Sequence, residues 1–355
     1  MKNEKQKPDT TAENIMDPVA VQKNAPKPHT MHPGAQWFPK AGLGLFLHWG
    51  ISTLDTDDSE LSWCLMKNRL SADDPVVPPE KYYGELAPRF QPDRYDPDQW
   101  LSAAAEAGFR YAVLITRHLD GFALWPSKYG DLNTKNYMNG RDLVAPFVEA
   151  CRKNNLKVGL YYSPEDWYFF REYNTWDHNF SWDPFDSWLR KDVPQSLLDA
   201  HKEYCNNQLR ELLTNYGKID LLWFDGVMGG VKAETLREIQ PWLVINSRLG
   251  DGQPGDFQTP ERSLPEEQLR GWWEYCDIWN RGPWSWTPHF GEQYRPLSEI
   301  LDMFVKVREK GGNMLINCAP RPNGELPDEC YKRFSELASW MKAGGSKYMP
   351  AWDEE

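Results

Sequence analysis

The sequence predicts an α/β protein, a (β/α)8-like TIM barrel in a single domain. Three observations carry that expectation. Short apolar runs without polar alternation recur along the chain, as do strands of a parallel sheet that is buried on both faces. Amphipathic stretches of helical period stand between them, several opened by a recognisable start signal. These units repeat often enough across 355 residues to close a barrel, and no linker divides them.

The first 30 residues, polar and dotted with proline, read as a flexible tail, and residues 31–355 as the barrel domain. GLGLFLHWG (42–50) reads as a buried strand, and DPDQWLSAAAEAGF (96–109) as a helix opened by Asp-Pro. RYAVLITRHLDG (110–121) is the next strand and DLVAPFVEACRKNN (142–155) the next helix. Then follow the strand KVGLYYSPEDW (157–167), the long helix SLLDAHKEYCNNQLRELLTNYG (196–217) and the strand DLLWFDG (220–226). AETLREIQPW (233–242) reads as helix and LVINSR (243–248) as strand. LSEILDMFVKVREKGG (297–312), GNMLINCAP (312–320) and ECYKRFSELASWMKAG (329–344) complete the pattern as helix, strand and helix.

Composition excludes several classes of function. Lys and Arg total 40 against 52 Asp and Glu, a net charge of −12, so nucleic acid is not an expected partner. No run reaches the roughly 18–20 apolar residues of a membrane helix, so no membrane partner is expected either. The N-terminus lacks the apolar centre of a signal peptide, which leaves a cytoplasmic protein or a periplasmic or secreted one whose signal is gone. Six scattered cysteines with no CxxC pair read as small core residues, not as zinc ligands or a disulfide framework. Eighteen Trp, 16 Tyr and 15 Phe exceed what a core needs, and flat apolar rings suit the faces of sugars.

In a barrel of this kind the chemistry lies at the C-terminal ends of the strands. His48, His118, Tyr162, Asp225 and Arg248 fall there. One strand ending on an acid is a turn; five ending on polar groups form the rim of a site. His118-x-Asp120 lacks a third metal ligand, and neither a phosphate-binding glycine loop nor a G-x-S-x-G elbow is present, so no metal or cofactor is expected. What remains is a carboxylate pair among aromatic and histidine side chains, the equipment for hydrolysing a glycosidic bond. Asp225, closing an apolar strand, suits the carboxylate that stays ionised. The proton donor is Glu261, in GDFQTPE (255–261) on a Gly/Pro-rich loop, or alternatively Glu274, in the apolar, strand-like GWWEYC (271–276). Glu261 is favoured, because a loop can bring it over the barrel mouth and Pro260 restricts the backbone before it.

GLGLFLHWG, LITRHLDGFALWPS, GLYYSPEDW, LLWFDG, NSR, GDFQTPE and GGNMLINCAPRPNGELP, in this order, resemble the catalytic barrel of the α-L-fucosidases of glycoside hydrolase family 29 over about residues 35–345. The resemblance implies retaining, exo-acting hydrolysis of a terminal α-L-fucoside, on an oligosaccharide or glycoconjugate, without a cofactor. It makes Asp225 the nucleophile and Glu261 the acid/base. It also places His48, Trp63, His118, Tyr162, Trp223 and Arg248 around the sugar, with Trp286 against its methyl group. Two departures stand out: His118-Leu119 replaces a histidine pair, and Ser62-Trp63-Cys64 replaces a Glu-Trp-Tyr stretch. They leave L-galactose, which adds a hydroxyl to the methyl of fucose, as the alternative sugar. A catalytically silent sugar-binding barrel is the remaining alternative.

Overall fold

Side-chain alternation along each strand divides the apolar residues into two layers, and the barrel follows from that division. In β1 (Leu43–Leu47), Leu43, Leu45 and Leu47 join the layer under the helices while Phe46 joins a separate inner cluster. The same split recurs in β2 (Tyr111–Arg117), β3 (Lys157–Tyr162) and β4 (Leu221–Phe224). Tyr111, Val113, Tyr161, Leu221 and Trp223 face inward; Ala112, Leu114, Leu160, Tyr162 and Phe224 face outward. Strands buried on both faces therefore appear in the sequence as continuous apolar runs.

The computed structural model describes residues 29–54, 61–67, 76–178, 183–250 and 253–352. Within them, β5 (Val244–Ile245), β6 (Phe257–Gln258), β7 (Trp272–Ile278) and β8 (Asn313–Asn317) complete an eight-stranded parallel sheet in the order β5-β4-β3-β2-β1-β8-β7-β6. Between β5 and β6 the ring is closed only by a bridge from Asn246 to Phe257. The Asp256 amide donates to the Ile245 carbonyl (2.7 Å) and the Ser247 amide to the Phe257 carbonyl (3.0 Å). The expected (β/α)8-like barrel is thus present, nearly closed, and filled by its inner cluster. Room for that filling is local: a Cβ on Gly44 would lie 2.1 Å from the Tyr111 ring, so glycine lets this tyrosine cross the interior.

Helices α1 (Pro97–Glu106), α2 (Val144–Lys153), α3 (Gln195–Asn215), α4 (Ala233–Ile239), α5 (Leu297–Glu309) and α6 (Asp328–Lys342) lie near the predicted positions. Asp96 caps α1 by accepting the Gln99 amide, and Pro97 fills the first turn, where its missing N–H costs nothing. Asp142 accepts the Val144 and Ala145 amides at the start of α2 (2.8 and 2.9 Å). Along α3, His201, Cys205, Leu209 and Leu212 keep one helical face buried.

One expectation needs correction, and one element has no counterpart in the sequence reading. GDFQTPE is not a free loop: β6 pairs with β7, and the register continues to a bridge between Glu261 and Cys276. The Cys276 amide donates to the Pro260 carbonyl and the Arg262 amide to the Cys276 carbonyl, both at 3.0 Å. A helical stretch from 79 to 89, with a π turn at Tyr82–Leu86, was not anticipated, since Pro79 and Pro88 interrupt its pattern. Most of the expected N-terminal tail, residues 1–28, lies outside the described residues. His29 stacks on Trp272 at 4.1 Å, and the Thr30 amide donates to Asp256 (2.7 Å).

Candidate active site

The backbone that ends β4 is held from the side by Asn246. Its Oδ1 accepts the Phe224 amide (2.8 Å) and its Nδ2 donates to the Phe224 carbonyl (2.9 Å). The next residue, Asp225, leaves the barrel with its side chain about one-third exposed (34%). The turn after it needs Gly226, at φ +98°, and the Val227 amide then donates to Glu165 Oε2 (2.8 Å). Asp225 is therefore fixed on both sides by hydrogen bonds to its neighbours' backbone.

Arg248, two residues beyond the bridge residue Asn246, joins the two predicted carboxylates. Its Nη1 donates to Asp225 Oδ1 (3.2 Å) and its Nη2 to Glu261 Oε2 (2.9 Å). Thr259 holds the guanidinium from behind: Nε donates to its Oγ1 (2.8 Å) and Nη2 to its carbonyl (3.0 Å). The guanidinium carbon lies 4.9 Å from the centre of the Trp223 ring, over which it sits. Both side chains stay accessible enough to meet a ligand, Arg248 at 12% and Glu261 at 18%.

Glu274 lies below this level, fully buried inside the barrel. Tyr111 donates its hydroxyl to Oε2 (2.5 Å) and Trp223 its Nε1–H to Oε1 (2.9 Å). Burial raises its pKa to about 7, against the pull of those two donors and of Arg248. Trp223 is thus a floor tile, pinned from beneath by Glu274 and covered by Arg248.

The remaining wall is aromatic. Tyr161 stacks on Trp223 (5.6 Å between ring centres) and His118 stacks on Tyr161 (5.6 Å). The Tyr161 hydroxyl reaches Asp225 Oδ2 at 3.4 Å. His118 Nδ1 pairs with Ser62 Oγ at 2.6 Å; burial pushes its pKa down to about 4, with the Asp225 charge opposing. His48 packs against Trp284 at 4.8 Å, and its Nδ1 faces Asn317 Oδ1 at 2.8 Å. Trp63, half-buried, stands edge-on to Trp167 and to His178 (5.2 and 4.8 Å).

Asp225, Glu261, His48, His118, Trp223 and Arg248 come together at the C-terminal mouth. Tyr162 does not: its hydroxyl donates to Gln208 (3.0 Å) and its ring lies under the Arg117 guanidinium, on the helix side of the sheet. Alternation puts Tyr161 inside instead. The Trp286 indole donates to Glu292 (3.0 Å), while Trp284 belongs to the inner cluster and packs against His48. His118 and Asp120 also diverge, since Asp120 accepts from the Tyr82 hydroxyl (2.6 Å) and the Phe122 amide (2.9 Å). Among the described residues no three His, Cys, Asp or Glu side chains could share a metal ion. No helix among them is long and apolar enough to cross a membrane. Sequence reasoning missed Tyr161, Ser62, Glu165, Asn246, Trp284 and Asn317. Asn317 carried the same signal as Asp225, a polar residue closing an apolar strand.

The profile of the α-L-fucosidase family matches residues 13–346. Tissue α-L-fucosidase of Mus musculus is 27% identical over 344 residues, covering 88% of this chain and 71% of that protein. Plasma α-L-fucosidase of Homo sapiens is 28% identical over 334 residues, covering 87% and 68%. Among solved structures, α-L-fucosidase isoenzyme 1 from Paenibacillus thiaminolyticus matches with a TM-score of 0.73 at 32% identity, covering 89% of this chain and 77% of that one. α-L-Fucosidase AlfC from Lactobacillus casei, in complex with α-L-fucose product, matches with a TM-score of 0.72 at 26% identity, covering 89% and 100%. A barrel with this strand order and these relatives belongs to glycoside hydrolase family 29, the α-L-fucosidases.

Proposed function

We propose that the protein is an exo-acting, retaining α-L-fucosidase that releases terminal α-L-fucose from an oligosaccharide or glycoconjugate. One observation carries the reading: a single guanidinium, Arg248, bonds Asp225 and Glu261 through its two terminal nitrogens. Two carboxylates so bridged are close neighbours, as double displacement requires; retaining enzymes keep them about 5–5.5 Å apart. Asp225 attacks the anomeric carbon as the glycosidic bond breaks, and Glu261 gives its proton to the departing oxygen. A water then transfers a proton to Glu261 while its oxygen displaces Asp225 from the sugar. His48 and His118 supply polar edges that hold the sugar, on a wall backed by the Tyr161–Trp223 stack. A relative at 26% identity, AlfC with Asp replaced by Ala at its position 200, has been solved with Fucα(1,6)GlcNAc, which supports a fucosylated oligosaccharide as the substrate class.

Hydrolysis of an aryl α-L-fucoside, followed by proton NMR, tests the reading. The first-formed fucose should be the α anomer, and Asp225→Asn should retain less than about a tenth of kcat, because a lost nucleophile costs several kcal/mol. A first-formed β anomer would overturn the retaining mechanism. Comparable kcat/KM on the aryl α-L-fucoside and the aryl α-L-galactoside would remove fucosidase as the proper name.

A further inference from the structure

Behind His48, the amide of Asn317 can be oriented atom by atom. The His48 backbone N–H can only donate, and it lies 3.2 Å from Asn317 Oδ1. The Trp284 carbonyl can only accept, and it lies 2.7 Å from Asn317 Nδ2. Oδ1 therefore faces His48. That oxygen is also 2.8 Å from His48 Nδ1, so Nδ1 must carry a hydrogen; two lone pairs would otherwise meet. Burial holds the ring neutral, its pKa well below the ordinary histidine value, and the neighbouring His118 acts in the same direction. A neutral imidazole with its hydrogen on Nδ1 has a bare lone pair on Nε2. Among the described residues no hydrogen bond to Nε2 is found, while the ring stands beside Trp284, Tyr161 and His118 of the site wall.

We infer that Asn317 is a positioning residue that fixes His48 as a hydrogen-bond acceptor toward the ligand, so that the sugar hydroxyl meeting His48 must donate. The ligand half of this inference rests on the fucosidase reading; the tautomer half does not. A site wall of fixed polarity is selective. It accepts a hydroxyl that can turn its hydrogen toward Nε2 and rejects a group that cannot, and a buried acceptor left unpaired discriminates strongly.

Two measurements test the two halves separately. Two-bond 1H–15N correlation spectra of protein carrying 15N-labelled histidine, with the His48 signals assigned by their loss in His48→Asn, should show Nδ1 protonated and Nε2 bare from pH 6 to 8. A hydrogen on Nε2, or a fast-exchanging mixture, would overturn the inference whatever the substrate proves to be. In the second measurement, binding of L-fucose is compared with that of its 3- and 4-deoxy and deoxyfluoro analogues. At the position facing His48, fluorine should restore nothing over hydrogen, both weakening binding by roughly 10-fold or more, since fluorine cannot donate. Near-parent binding by every fluoro analogue would overturn the acceptor role. Asn317→Asp adds a kinetic readout. Its carboxylate still accepts both N–H groups and stabilises the imidazolium, while its second oxygen loses the donation to the Trp284 carbonyl, so KM should be raised at every pH and rise further as pH falls. Absence of fucose binding with the Nδ1 tautomer present would overturn the fucosidase reading and leave the tautomer standing.

Discussion

Glu261 and Glu274 illustrate how much a side chain's level in the barrel decides. Glu261 pairs in register with Cys276, and Glu274 precedes Cys276 by two residues, so Glu274 points inward one step nearer the barrel floor. Roofed by Trp223 and wholly buried, Glu274 has no route to a leaving group, whereas Glu261 is partly open beside Asp225's guanidinium partner. Removal of the true proton donor slows poor leaving groups far more than activated aryl ones, and azide restores turnover. Glu261→Ala should show both effects. Glu274→Gln should show neither, because its oxygen can accept from Trp223 while its amide donates to a reversed Tyr111 hydroxyl. Leaving-group dependence and azide rescue in a Glu274 variant alone would reverse the two roles. Asp225 and Arg248 were legible as candidates because a polar group closing an apolar strand is an unusual pattern, whereas Glu261 was read from a Gly/Pro-rich loop and its strand-like pairing with Cys276 carried no such mark. The sequence could not separate Tyr161 from Tyr162. Both faces of β3 are buried, so no polar alternation marks the inner one, and only pairing with β4, which sets Tyr161 against Trp223, decides.

At the scale of elements, the β3 and β4 ends are tied together through one buried acid. Glu165 Oε1 accepts the Trp167 indole N–H (2.7 Å) from its own loop, and Oε2 the Val227 amide (2.8 Å) from the loop of Asp225. A Cβ on Gly226 would lie 2.8 Å from the Glu165 Cβ, so the two loops are closely packed here. Both donors are fixed N–H groups, unlike those around Glu274. Glu165→Gln therefore sets an amide N–H against one of them and should displace Asp225. Misplacement on the order of 1 Å costs up to about 100-fold. A kcat lowered about 10- to 100-fold with KM little changed is the expected outcome, measured on an aryl α-L-fucoside; a drop in stability with kcat intact would make Glu165 merely structural. Gly226→Ala should do the same more severely, adding strain at φ +98° to the close contact. None of this tie was visible in the sequence, where Glu165 falls in the run KVGLYYSPEDW read as a strand. Long strands such as β2 and β7 could be read from their apolar runs, and LVINSR located β5, but the two-residue strand β6 could not be read, since its pairing depends on Asn246 and Asp256 contacts made across the closing seam.

At the scale of the whole molecule, the described carboxyls and histidines whose buried pKa values shift form two sets that oppose one another with pH. Burial raises Glu165 and Glu274 to about 7 and Asp120 to about 6, above their unfolded values. These groups bind more protons folded than unfolded, so their contribution to stability is lost as pH rises from about 4.5 to 7. Burial also lowers His118 and His178 to about 4, His201 to about 3, and His48 well below the ordinary value. Here the unfolded chain binds more protons, so stability is lost as pH falls below about 6.5 toward 4. With four histidines against three carboxyls, the acid side should be the steeper, and the urea midpoint should peak near neutrality. Most of the alkaline side, all but the share of Glu165, can be removed without touching Asp225 or Glu261. Glu274 and Asp120 each meet one fixed N–H donor and one tyrosine hydroxyl that can reverse, so Glu274→Gln and Asp120→Asn together preserve every hydrogen bond. For Glu274 alone, a rise from 4.5 to about 7 corresponds to roughly 3 kcal/mol above pH 7. Urea unfolding of the double variant should therefore show a gain of that order at pH 8 that vanishes near pH 4.5. Parallel stability curves for variant and wild type across this range would mean that these two carboxyls do not carry the pH dependence.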